Sequence, residues 1–147
     1  RRFSYHGIFH GAEVFDDYGH HPKEISSTLT MARKRAKKRL IVIFQPHRYT
    51  RTKALWHEFV ETFANSPIDQ LIITDIYAAS ESPLSNVTSG KLVQEIKRRY
   101  PDCQISYQPL DSDFVAIKHA LYNTLEQDDL LLLLGAGNIN RLADCIR

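Results

Sequence analysis

Cysteine is scarce in this chain of 147 residues: Cys103 and Cys145 are the only two, far apart and in no C-x-x-C pair. That scarcity argues against a disulfide framework or a thiolate zinc site and favours a reducing, cytoplasmic compartment. Long apolar runs are missing too. The longest, "LLLLL" at 130 to 134, is far short of the ~20 residues that cross a membrane and reads as a buried strand. No signal peptide is visible, the start reads "RRFSYH", and the one methionine is Met31, so the expectation is a piece of a longer protein. Charge of one sign is not in excess, since the net value is +2, and a nucleic-acid partner is not implied. The densest basic stretch, "ARKRAKKR" from Ala32 to Arg39, has no interleaved aromatic platform. It reads as a solvated helix face complementing a helix C-terminal dipole. Also absent is any G-x-x-x-x-G-K-[ST] loop, so nothing here holds ATP phosphates and magnesium unaided.

What is present is alternation. "AEVFDD" at 12 to 17 is a strand candidate, paired with residues 3 to 6 across the "HGIFHG" turn. A helix opens at Pro22, which suits the first helical position, with Glu24 in the first turn and a stripe of Ile25, Leu29, Ala32 and Ala36. The β-branched run at 39 to 44 has the pattern of a strand covered on both faces. Leu55, Phe59 and Phe63 line a second helix before a strand at 70 to 76. Leu92, Val93, Ile96 and Tyr100 line a third before a strand at 103 to 107. Phe114, Ile117, Leu121 and Leu125 line a fourth before a strand at 129 to 135. Ile139, Leu142 and Ile146 begin a last helix, capped by Asn138. Strands alternating with helices predict one α/β domain over residues 1 to 147. Its sheet is mostly parallel and doubly wound, Rossmann-like, with about six strands and helices on both faces.

In such sheets ligands bind beyond the carboxyl ends of the strands. The segments that follow the strands are "DDYGHHP" (16 to 22), "QPHRYTR" (45 to 51), "YAASESP" (77 to 83) and "GAGN" (135 to 138). One edge should therefore gather Asp17, Tyr18, His20, His21, His47, Arg48, Arg51 and Glu81. Adjacent histidines point differently, so His20 and His21 are not expected to share a metal, and either could simply bond the backbone. Arg48 and Arg51, three residues apart, can aim at one anion, and guanidinium forks suit carboxylate and phosphate oxygens. "GAGN" is read equally as a phosphate-cradling turn or as tight strand-to-helix packing, and Glu81 as solvated or functional. Neutral histidines handle protons near pH 7, and arginines stabilise developing negative charge. The combination suits ligation through a phosphorylated carboxylate.

"DDYGHHP", "FQPHRYTRT" and "IYAASESP" together, with "RRF" before them and "GAGNI" after, resemble the C-terminal domain of the Mur ligase family, in its alanine-adding branch. The likeness runs the length of the chain in order. It implies a three-domain, ATP- and Mg2+-dependent, amide-forming enzyme of peptidoglycan synthesis in the bacterial cytoplasm. Its partners would be L-alanine, UDP-N-acetylmuramate, ATP and its own N-terminal and central domains, with no nucleic acid or membrane. By the resemblance, Tyr18, His20, His47, Arg48 and Arg51 handle amino acid and acyl phosphate, with His20, His47, Arg48 and Arg51 catalytic. Arg2 and Asp17 contact nucleotide, no metal is held by this segment, and the segment alone is inactive. Ser80 stands where the family pattern "YAAGE" has glycine, which puts the role of Glu81 in doubt. Two alternatives remain: the muropeptide-recycling branch, expected to differ at "PHRYTR", and a non-catalytic nucleotide- or anion-binding module.

Overall fold

Two uninterrupted apolar strands, Leu40–Phe44 (β3) and Leu130–Leu134 (β6), lie side by side at the centre of a six-stranded sheet in the computed structural model. The structure describes residues 2–146; the first arginine of "RRF" and Arg147 lie outside them. The other strands are Ser4–Phe9 (β1), Ala12–Asp17 (β2), Gln70–Ile73 (β4) and Ile105–Tyr107 (β5), in the order β1-β2-β6-β3-β4-β5. Only the β1–β2 pair is antiparallel. Because both faces are covered, every residue of β3 and β6 is buried, which is why the two runs do not alternate in polarity.

One face packs on the helices Pro22–Arg35 (α1), Trp56–Ala64 (α3) and Ser89–Arg99 (α4). Leu40, Val42, Phe44, Leu130, Leu132 and Leu134 meet Ile25, Leu29, Phe59, Phe63 and Leu92 there. The intervening residues Ile41, Ile43, Leu131 and Leu133 point the other way, onto Val115–Thr124 (α5) and Leu142–Cys145 (α6). Each fully buried aliphatic side chain contributes roughly 1.5–3 kcal/mol. A doubly wound α/β fold is therefore what the alternating pattern produces.

Several boundaries differ from expectation. β1 runs on to Phe9, and the hairpin turns at His10 (φ 50°) and Gly11 (φ 80°) alone, the two positive φ values of a type I′ turn. A bulge between Tyr5 and Ile8 absorbs the longer strand. The helix expected from Leu55 to Phe63 is preceded by a separate short one, Tyr49–Ala54 (α2), with the break at Leu55. β4 ends at Ile73, short of Ile76, and β5 begins at Ile105. The last helix starts as a 3-10 turn over Ile139–Arg141, and Asn138 makes no side-chain cap bond, because its carbonyl oxygen is taken by Gln45.

The basic stretch is more than a solvated face. Arg33 pairs with Asp69 at 2.8 Å and Arg35 with Glu13 at 2.8 Å. Arg39 makes a two-pronged bond to buried Asp129, Nε to Oδ1 at 3.1 Å and Nη2 to Oδ2 at 2.7 Å. These pairs tie the helix and strand ends at the edge of the sheet opposite the loops considered next.

Candidate functional site

The loops after β2, β3, β4 and β6 emerge on one edge, and side chains join them into a ring. Asp17 ends β2 fully buried: Oδ1 accepts from the Gly19 amide (2.7 Å), Oδ2 accepts from the Phe3 amide (2.9 Å), and the Arg2 guanidinium lies 3.3 Å away. That carboxylate turns the chain sharply into α1. His21 caps α1, its Nδ1 accepting from the Lys23 amide at 3.3 Å, while Glu24 Oε1 accepts from the His20 and His21 amides. Burial opposes ionisation of Glu24, yet those amides hold its carboxyl below its ordinary value. His21 is thus a structural cap. His20 is left half-buried, its Nδ1 3.0 Å from the Tyr18 carbonyl and 3.8 Å from Glu24.

The loop after β3 starts with Gln45, which is buried. Its Nε2 donates to Asn138 Oδ1 (2.7 Å), and its Oε1 accepts from the Ile139 amide (3.1 Å), clamping the β6 loop to the β3 loop. The His47 ring lies 5.7 Å from that of His20 and stacks on Tyr77 of the β4 loop, centroids 5.5 Å apart and planes 12° from parallel. Arg51 Nη1 reaches His47 Nδ1 at 3.3 Å; His47 lies just before α2 and Arg51 in its first turn. Burial first, then the positive charge of Arg51, holds the His47 imidazole below its ordinary value and so favours the neutral ring.

Arg48 takes φ 73°, ψ 138°, a backbone state that non-glycine residues adopt only under constraint. The constraint is visible: its amide donates to the Tyr77 carbonyl at 2.8 Å, and its guanidinium lies 3.8 Å from Glu81. Glu81 also accepts from the Thr50 amide (3.1 Å) and hydroxyl, which hold its carboxyl below the usual range. Glu81 therefore secures the start of α2. Ser80, with φ 73°, occupies the left-handed region that favours glycine. On the fourth side, Asn140 Nδ2 donates to the Tyr18 hydroxyl at 3.2 Å.

The glycines of "GAGN" are explained by close packing. A Cβ at Gly137 would lie 2.6 Å from both Gln45 Oε1 and Tyr77 Cγ, and one at Gly135 would lie 2.9 Å from the Gln45 carbonyl oxygen. Of the residues expected from sequence, the structure brings Tyr18, His20, His47, Arg48, Arg51 and Glu81 into one ring; Arg2 and Asp17 sit behind it, at the base of α1. Gln45, Tyr77 and Asn140, which were not singled out, hold the ring together with Asn138, which was expected only as a helix cap. Gln45 did carry a signal, a polar residue directly continuing a buried strand; Tyr77 carried none. Beside the ring, a recess of about 280 Å3 is lined by Tyr49, Asp75, Ser89 and Tyr107. The Tyr107 phenol is pushed up to about 12 by burial and by its bond to Asp75. A cavity of about 420 Å3 between α1 and α3, lined by Pro22, Ser26, His57 and Glu61 among others, contains no member of the ring.

The chain matches the family model described as Mur ligase, glutamate ligase domain, over residues 1–137. The chain belongs to the Mur ligase family. Among its relatives, the UDP-N-acetylmuramate–L-alanine ligase of Oleidesulfovibrio alaskensis is 46% identical over 95% of this chain and 30% of that protein. The corresponding ligase of Caldanaerobacter subterraneus is 45% identical over 98% of this chain and 30% of that protein. The chain thus spans about 30% of the length of the curated relatives it matches. Two solved structures share the fold. A murein peptide ligase from Psychrobacter arcticus has a TM-score of 0.71 at 21% identity, covering 99% of this chain and 30% of that one. A UDP-N-acetylmuramate–alanine ligase from Thermotoga maritima has a TM-score of 0.64 at 21% identity, covering 97% and 27%.

Proposed function

We propose that this chain is the amino-acid- and nucleotide-positioning domain of an ATP-dependent ligase. The ligase joins L-alanine to UDP-N-acetylmuramate through an acyl phosphate, in peptidoglycan synthesis in the bacterial cytoplasm. The observation that carries the reading is the meeting of His20, His47, Arg48 and Arg51 from two loops on one edge, in a chain whose relatives bear that ligase's name. Arg48 and Arg51 are the anion handlers for alanine's carboxylate or the acyl phosphate. Tyr18, held by Asn140, and the two histidines complete the substrate contact. Among the described residues no group of three or more His, Cys, Asp or Glu could hold a metal ion. Asp17 spends its oxygens on its own backbone and Arg2. Mg2+ and the triphosphate are assigned to the enzyme's other domains. Arg2, about half exposed, is the group here that a nucleotide can reach, and Asp17 orients it. The ring's side chains are half-exposed, so catalysis needs an apposed surface to exclude water, and the chain alone is inactive.

The test is steady-state kinetics on the full-length ligase containing this chain. Arg48→Ala and Arg51→Ala should each lower kcat/KM about tenfold to a few hundredfold, as expected from losing a charge-assisted bond of roughly 1.5–3 kcal/mol. Arg48→Lys should rescue only in part, since an ammonium cannot make the fork. Arg35→Ala, in the exposed pair with Glu13 on the far side of β2, should leave kcat/KM unchanged. Folded Arg48 and Arg51 variants with wild-type kcat/KM for alanine would refute the reading.

A further inference from the structure

The two histidines of the ring are held in opposite tautomers. Nδ1 of His20 is bonded at 3.0 Å to the Tyr18 carbonyl, which can only accept, so that nitrogen carries the proton and Nε2 bears the lone pair. Nδ1 of His47 is bonded at 3.3 Å to the Arg51 guanidinium, which can only donate, so Nδ1 accepts and Nε2 carries the proton. Among the described residues neither Nε2 has a hydrogen-bond partner, and both are left for a ligand. The charges around the rings divide them in the same sense. His20 faces the Glu24 carboxylate at 3.8 Å, with Tyr18 beside it. His47 faces Arg51, His20 and Arg48, with Tyr77 stacked on it and Glu81 the one carboxylate acting on it. A proton added to His47 meets guanidinium.

We propose that His20 and His47 have separate duties toward a nucleophile that arrives as a primary ammonium: His20 Nε2 takes its proton, and His47 Nε2–H donates a hydrogen bond to a substrate oxygen while staying neutral. This deepens the ligase reading and rests on it for the reaction. The ammonium gives one proton to His20, leaving a neutral amine and an imidazolium facing Glu24. The amine lone pair forms the C–N bond at the acyl phosphate carbonyl. The C–O bond to phosphate breaks with its electron pair, and the second amine proton leaves with phosphate. His20, one third exposed, returns its proton to water. With rings 5.7 Å apart, neighbouring polar groups of one substrate can meet both.

Two measurements test this separately from the ligase reading. Long-range 1H–15N correlation spectra of the 147-residue chain, at a pH above both imidazole titrations, should show His20 protonated at Nδ1 and His47 at Nε2. The reverse tautomer at either ring overturns the proposal. In the full-length ligase, His20→Gln should lower kcat about 10²–10⁴-fold near pH 7, the usual contribution of a positioned base. The deficit should shrink about tenfold per pH unit as solvent supplies free amine. His47→Gln, which keeps an N–H at the Nε2 position, should retain far more activity than His47→Asn. A His20 deficit independent of pH, a His20→Gln enzyme within threefold of wild type, or equal loss in the two His47 variants overturns it. Failure of the wild-type ligase to join alanine would refute the proposed function instead, and the tautomers would still decide this inference.

Discussion

Replacing Gly137 by alanine probes the ring directly, because that glycine is the point where three loops touch. Its φ lies outside the left-handed range, so the substitution strains nothing in the backbone, and the effect is steric alone. The added Cβ would stand 2.6 Å from Gln45 Oε1, 2.6 Å from Tyr77 Cγ and 2.8 Å from Tyr77 Cβ. Ordinary carbon contacts begin near 3.5 Å, so both side chains must give by about an ångström. Gln45 cannot move without loosening its bonds to Asn138 and Ile139, and Tyr77 cannot move without leaving the face of His47. Overpacking of this kind costs about 1–3 kcal/mol, offset by ~0.5 kcal/mol from the stiffer unfolded chain. The net loss of roughly 1–2 kcal/mol should lower Tm by about 2–8 °C in a chain of this size. Thermal denaturation followed by circular dichroism measures it, and the His47 ring-proton shifts report Tyr77. Gly90→Ala is the control, since its Cβ would meet nothing closer than Thr88 Oγ1 at 4.0 Å; it should leave Tm unchanged or raise it slightly. An unchanged Tm and unchanged His47 shifts in Gly137→Ala would show that the loops do not pack as described.

Other outcomes follow from the same geometry. Arg39→Ala strands the fully buried Asp129 carboxylate; breaking a buried pair costs about 3–5 kcal/mol, and since Arg39 is itself one third exposed, about 2–3 kcal/mol is expected, read from urea midpoints. A midpoint shift below a quarter of that would mean the pair is solvated. Ser80→Gly removes a left-handed serine costing about 1–2 kcal/mol, less the greater unfolded-state freedom of glycine; a gain of about 0.5–1 kcal/mol is expected, and a loss would refute the strain. His47, held below its ordinary value in the fold, stays neutral while the unfolded chain takes up a proton. Its contribution to stability is therefore present above about pH 6.5 and lost as pH falls below it. Arg51→Gln should raise the His47 midpoint in an NMR titration and weaken that acid loss; an unmoved midpoint would deny the coupling.

Much of this was legible residue by residue. The Leu40–Phe44 and Leu130–Leu134 runs announced strands buried on both faces, Pro22 with Glu24 announced the start of α1, and the strand ends announced which loops share an edge. The serine at position 80 also stood out, and the structure supplies the reason in its positive φ. What could not be read were features set by partners distant in sequence. Asn138 looks like a helix cap until Gln45, which accepts the Ile139 amide and occupies Asn138 Oδ1, is placed beside it. Leu55 continues a helical stripe, yet the helix breaks there. The basic run reads as solvated until Glu13, Asp69 and Asp129 arrive from other strands and loops.

By itself the sequence determined the order of strands and helices, the two-faced burial of the sheet and the clustering of histidine and arginine beyond the strand ends. These depend on polarity repeating at 2 or 3.6 residues, which each segment carries alone. Only the tertiary structure decided that β6 inserts between β2 and β3. It also decided that Tyr77 walls His47, that Arg48 is held in a strained backbone state, and that the two histidines carry their protons on opposite nitrogens. A strand's pattern states that it must be covered and paired, but many neighbours satisfy that demand equally. A ring nitrogen's proton is set by whichever donor or acceptor the completed fold brings against it.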